Sequence, residues 1–84
     1  MRELPWVVDD PLGLHVQLAV LIASEAKRWR SKVTMEYDGQ YVDATQPLEM
    51  MMLGVRSGEN VTIYIEGVDE DTASGELARL ISTF

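Results

Sequence analysis

The chain has 84 residues, 46% of them hydrophobic, with 14 acidic against 7 basic side chains, a formal net charge of -7 and no cysteine. That length holds one core and no second, so a single domain over residues 1–84 is expected, and the apolar share is that of a globular chain. The missing cysteines exclude a disulfide framework, a thiolate nucleophile and a cysteine zinc site, and the acidic balance argues against nucleic acid or an anionic membrane, which need clustered Lys and Arg.

Leu4-Pro5-Trp6-Val7-Val8 reads as a first strand. Pro5 cannot donate to a ladder, so this strand should begin late or lie at a sheet edge. Asp9-Asp10-Pro11 and Gly13 make the loop that follows. From Val16 onward, Leu18, Ala19, Ile22, Ala23, Ala26 and Trp29 recur at spacings of three and four, which predicts an amphipathic helix. Lys27, Arg28 and Arg30 crowd its end, where cations suit the negative pole of the helix dipole.

Val33, Met35 and Tyr37 alternate with Lys32, Thr34 and Glu36, the period of a half-buried strand. Asp38-Gly39 signals a tight hairpin, with Gln40 to Asp43 returning. Pro47 suits the first position of a short helix over 47–53, ended by Gly54. Ser57 to Asn60 reads as a turn, and Val61, Ile63 and Ile65 alternate with Thr62, Tyr64 and Glu66 as the last strand. Asp69 is the expected cap of a final helix whose inward stripe is Ala73, Leu77, Leu80, Ile81 and Phe84. Gly75 inside that helix points to close packing or local fraying. The order β-α-β-β-α-β-α with alternating strand faces predicts an α+β two-layer sandwich, an antiparallel sheet covered by helices on one face.

His15 is the only histidine, and it stands where the loop meets the first helix. On residue statistics a lone histidine at a helix start is more often a cap or a surface residue than a catalytic group. Its position supports a sharper idea. A helix N-terminus offers unpaired N–H groups and a partial positive charge, which suit an anion. The same pole favours the neutral imidazole, the nucleophilic form. A phosphoryl group accepted there would meet the N–H groups of Val16, Gln17 and Leu18.

The stretch "GLHVQLA" (13–19), the Asp38-Gly39 hairpin, "MMLG" (51–54), "SGENVTIYIEGVDED" (57–71) and the closing helix resemble HPr, the histidine-containing phosphocarrier of the sugar phosphotransferase system. The resemblance runs over essentially the whole chain without gaps. It implies an open-faced β-sandwich of four strands and three helices. It also implies a cytoplasmic, monomeric, cofactor-free and metal-free protein. His15 would take phosphate from phosphorylated enzyme I on the ring nitrogen facing the helix and pass it to a sugar-specific or regulatory component. Leu48, Met51, Met52 and Gly54, with Lys27, would form the surface on which those proteins dock. From the residues alone, Met51 and Leu53 fit better as core, Leu48 and Met52 fit either role, and Met50 fits the patch least.

The departures from the family pattern lie around the site. The family's arginine two residues past the histidine is Gln17, which replaces a charge-assisted bidentate grip with neutral donors. The next residue, proline in the family, is Leu18, which restores an N–H. The serine phosphorylated by a regulatory kinase in Gram-positive members falls on Gln46, so seryl regulation there is excluded. Ser24, Thr45 and Glu49 stand near places where many members carry bases, and Asp9 and Asp10 add negative charge beside His15.

No apolar run approaches the roughly 20 residues of a membrane span, and no signal peptide is visible. "DEDTASGE" fails as a calcium loop, since Ser74 and Leu80 occupy the places that require Gly and Glu. The segment 54–58 lacks the Lys-Ser/Thr ending of a phosphate loop. The leading expectation is a phosphohistidine relay rather than a self-contained enzyme. The rival is a binding or regulatory module that keeps the fold without phosphotransfer, and it has no need of His15.

Overall fold

The two-residue alternation of the central strands decides how the sheet is layered. The computed structural model describes residues 1–84 and contains β1 (Arg2–Val8), α1 (Val16–Ala26), β2 (Lys32–Tyr37), β3 (Gln40–Asp43), α2 (Pro47–Met52), β4 (Glu59–Glu66) and α3 (Glu70–Ser82). Val33 and Met35 of β2, and Val61, Ile63 and Ile65 of β4, are buried, while Thr34, Thr62 and Tyr64 between them are half-buried and Lys32, Asn60 and Glu66 flanking them are exposed. The buried face meets Leu18, Ala19, Ile22, Ala23 and Ala26 of α1, and Ala73, Leu77 and Ile81 of α3, in one hydrophobic core. Each fully buried Ile or Leu contributes about 1.5–3 kcal/mol, so this one layer dominates the stability of so short a chain. The other sheet face is open.

The strand order is β1-β4-β2-β3, and every neighbouring pair is antiparallel. β1 is an edge, as Pro5 requires, although it begins at Arg2 rather than late. Asp38 and Gly39 both have positive φ, 52° and 82°, the left-handed pair that lets a two-residue hairpin follow the strand twist between Tyr37 and Gln40.

Four details differ from the sequence reading. β4 begins at Glu59, because Glu59 and Asn60 pair with Val8 and Val7 instead of turning. α1 ends at Ala26, so Trp29 lies beyond it; its indole N–H donates to the Glu25 carboxylate at 2.9 Å and Arg28 stacks over its ring. Asp69 occupies the N-cap position of α3 with φ -110° and ψ 25°, outside extended cap geometry, and its side chain makes no cap bond. Its carboxylate instead accepts the N–H groups of Arg30 and Ser31 and the Ser31 hydroxyl, pinning the start of β2. Gly75 packs against nothing: a Cβ there would meet no atom within 4 Å, and the helix runs through it unbroken.

Candidate functional site

The site is built by a short loop that has to turn sharply onto α1. Gly13 takes φ +69°, and its backbone lies so close to the segment after α2 that a Cβ would stand 2.5 Å from the Val55 carbonyl oxygen. Only glycine fits both demands. The neighbouring Leu14 N–H donates to that same carbonyl at 3.1 Å, and the Leu14 side chain is buried. The loop is thus fixed on both sides of the turn, and the next residue begins the helix.

That residue is His15, the N-cap of α1, with φ -91° and ψ 176°. Its Nδ1 accepts the Gln17 N–H at 3.3 Å, a contact between the ring and the positive end of the helix. The first intrahelical bond runs from the Ala19 N–H to the His15 carbonyl at 3.0 Å. The N–H groups of Val16 and Leu18 precede it and have no acceptor within the helix. Val16 and Gln17 are exposed and Leu18 is buried, so the N–H end opens to solvent at its first two residues. No acidic residue in the first turn of α1 neutralises this pole. The ring itself is one-fifth exposed.

Of the two carboxylates expected near the ring, only Asp10 faces it. Its Oδ2 lies 3.4 Å from His15 Nε2, while its Oδ1 accepts the Leu12 N–H at 2.9 Å. The Leu12 N–H, and then His15, hold the Asp10 carboxyl below its ordinary value of 3.8. Asp9 is exposed and makes no such contact. Sequence reasoning placed both acids in the loop but had no means of telling which would turn inward.

Among the remaining candidates, Leu48 and Met52 are strongly exposed, at 67% and 77%, and Gly54 is exposed at the end of α2. Met51, expected under the sheet, is more than one-third exposed; Met50 is the methionine that turns fully inward, with Leu53 beside it in the core. The hydrogen bond from Leu14 to Val55 brings the end of α2 beside the His15 loop. Gln46, at the N-cap of α2, is exposed and makes no side-chain cap bond. Lys27 is the C-cap of α1, about 18 Å along the helix from His15, and so lies away from the ring. Leu12, Val16, Val20 and Leu21 are also exposed on the α1 side. The sequence signal for them was present: they are apolar residues outside the three-and-four stripe.

A four-stranded antiparallel sheet under three helices, with one histidine capping the first helix, defines the class of histidine-bearing open-faced sandwiches. The family model for PTS-HPr, described as the "PTS HPr component phosphorylation site", matches residues 3–83. The chain belongs to this family, HPr. The phosphocarrier protein HPr of Borreliella burgdorferi is 39% identical over 72 residues, spanning 86% of this chain and 84% of that one. The crystal structure of HPr from Thermoanaerobacter tengcongensis superposes with a TM-score of 0.91 at 32% identity, covering 99% of this chain and 93% of that one. Crh of Bacillus subtilis, whose crystal structure is described as a domain-swapped dimer, matches with a TM-score of 0.76 at 36% identity over 90% of this chain and 87% of its own.

Proposed function

We propose that this phosphocarrier of the phosphotransferase system bears its phosphoryl group on His15 Nδ1, taken from phosphorylated enzyme I and delivered to a sugar-specific or regulatory acceptor. The observation that carries the reading is the Gln17 N–H donating to Nδ1 at 3.3 Å. It leaves a lone pair on the nitrogen that faces the helix pole. When Nδ1 bonds phosphorus, the Gln17 N–H exchanges its nitrogen acceptor for a phosphoryl oxygen, and the N–H groups of Val16 and Leu18 supply further donors to the new charge. The Gln17 side chain adds neutral donors where the family pattern has a guanidinium.

Partners meet the exposed apolar residues Leu48, Met51 and Met52, with Gly54 between them and the His15 loop. Methionine side chains repack at low cost, which suits a surface that serves a donor and an acceptor in turn. Lys27, at the far end of α1, would add a positive charge to partner recognition away from the ring.

The test is intact mass after incubation with phosphoenolpyruvate, Mg²⁺ and enzyme I of the same organism, beside a His15→Ala control. The expected result is one acid-labile phosphate on the wild type and none on the control. An unlabelled wild type that also resists phosphoramidate would turn the reading toward a protein-binding module without phosphotransfer.

A further inference from the structure

The loop before α1 makes a second contact to the imidazole that the phosphate seat does not require. Asp10 folds back on its own segment: its Oδ1 accepts the Leu12 N–H at 2.9 Å and its carbonyl accepts the Gly13 N–H at 2.8 Å. This leaves Oδ2 facing His15 Nε2 at 3.4 Å, with both side chains largely sheltered. Across the ring, Nδ1 receives the Gln17 N–H. An acceptor opposite Nε2 and a donor opposite Nδ1 admit one neutral tautomer, with the proton on Nε2 and the lone pair on Nδ1.

We propose that Asp10 is a positioning residue for phosphoryl transfer, holding the His15 proton on Nε2 and offsetting the positive charge the ring gains when Nδ1 takes the phosphoryl group. The proposal rests on the carrier reading above. In the step, the Nδ1 lone pair forms the N–P bond while the donor's bond to phosphorus breaks, its electron pair staying with the donor. Nδ1 has no proton to lose, and the Nε2 proton stays in place. The ring then carries a positive charge shared by its two nitrogens, next to a carboxylate. Onward transfer to the acceptor runs the same exchange backwards.

The charge pattern follows from the residues on either side of the ring. Position 17 offers a neutral amide on the phosphate side, and Asp10 offers an anion on the opposite side. The ring separates that anion from the incoming phosphate, so the carboxylate acts mainly on the imidazole. Stabilisation that a cation would give directly to the phosphoryl oxygens is here directed in part at the ring.

Asp10→Asn and Asp10→Ala separate the two effects. Asn removes the charge and keeps a single acceptor oxygen, which can face either the Leu12 N–H or Nε2 while its NH2 faces the other; Ala removes the charge and both acceptors. Long-range ¹H–¹⁵N correlation of the neutral ring, in the unphosphorylated protein, reports the tautomer. Phosphoramidate labelling reports the nucleophile without any partner protein. The wild type is expected to hold the proton on Nε2, Asp10→Asn to keep only part of that preference, and Asp10→Ala to move toward a mixture. Labelling should slow about 3-fold in Asp10→Asn and about 10-fold in Asp10→Ala, the scale of a part-exposed charge contact and its hydrogen bond. A wild-type ring with its proton on Nδ1, or an Asp10→Ala protein with unchanged spectrum and unchanged labelling, overturns the proposal. Failure of the carrier reading looks different: wild-type His15 resists both reagents, while the ring spectrum still decides whether Asp10 holds the proton.

Discussion

Gly13 and Val55 touch backbone to backbone, so that any Cβ at position 13 would stand 2.5 Å from the Val55 carbonyl oxygen. This contact fixes where the chain enters α1 and therefore where His15 sits. Gly13→Ala combines that clash with a positive φ, and backbone on the other side cannot yield as a flexible side chain would. The expected loss is about 2–4 kcal/mol in urea unfolding, with a weakened Gln17 to Nδ1 contact and slower labelling of His15. A variant with wild-type midpoint would show that the two segments separate easily.

Gly75 presents the opposite case. It is exposed in α3, and a Cβ there would meet no atom within 4 Å. The residue therefore brings the entropic cost of a helical glycine with no packing in return. Gly75→Ala should raise stability by about 0.5–1 kcal/mol and leave phosphorylation unchanged. Thermal unfolding checks the first part, and intact mass the second.

Strand periodicity and turn chemistry are local, and that is why most of the fold could be read from the chain. Val33 and Met35, like Val61, Ile63 and Ile65, are buried on one face, and Asp38-Gly39 forms the turn its composition requires. Contacts between distant segments left no such trace. Asp69 looked like a cap because a cap is the nearest use for its oxygens; the acceptor it provides serves Ser31, 38 residues away. Met50 and Met51 are neighbours in a six-residue helix, too short for periodicity to say which turns inward. At the site, His15 and its helix pole were legible, but the inward turn of Asp10 depends on the Leu12 N–H within the loop. Leu12, Val16 and Val20 are apolar yet exposed, and the spacing that marks the buried face of α1 says nothing of residues outside it.

The Asp69 carboxylate also sets an acid limit. The Ser31 hydroxyl first, then the backbone N–H groups of Arg30 and Ser31, favour its ionised form and hold it below the ordinary 3.8. A carboxyl with a depressed folded pKa adds stability that is present above its unfolded value and lost as pH falls through the folded one. Thermal midpoints should therefore drop as pH falls below about 4, with Asp43, Glu59 and Glu70 lowered in the same direction and contributing to the slope. Asp69→Asn should lower the midpoint at neutral pH by several degrees and make the acid limb shallower. Parallel curves for the two proteins would remove Asp69 from this account.

Gln17 is the position at which the seat can be given back a charge. Its backbone N–H already reaches the ring, and its side chain is exposed. A guanidinium there presents paired charged donors to phosphoryl oxygens, where the amide presents neutral ones. The difference is worth about 1–3 kcal/mol, so Gln17→Arg should label with phosphoramidate about 5-fold faster or more. It should also retain its phosphate longer. The Asp10 carboxylate competes for the new cation, and the double variant Gln17→Arg, Asp10→Asn separates that competition. If the guanidinium is drawn to Asp10, the single variant gains little and the double variant gains the guanidinium's effect less the loss that Asp10→Asn brings. If neither variant gains, the neutral amide is not what limits phosphate binding at His15, and the N–H groups of Val16, Gln17 and Leu18 carry the load without help from the side chain.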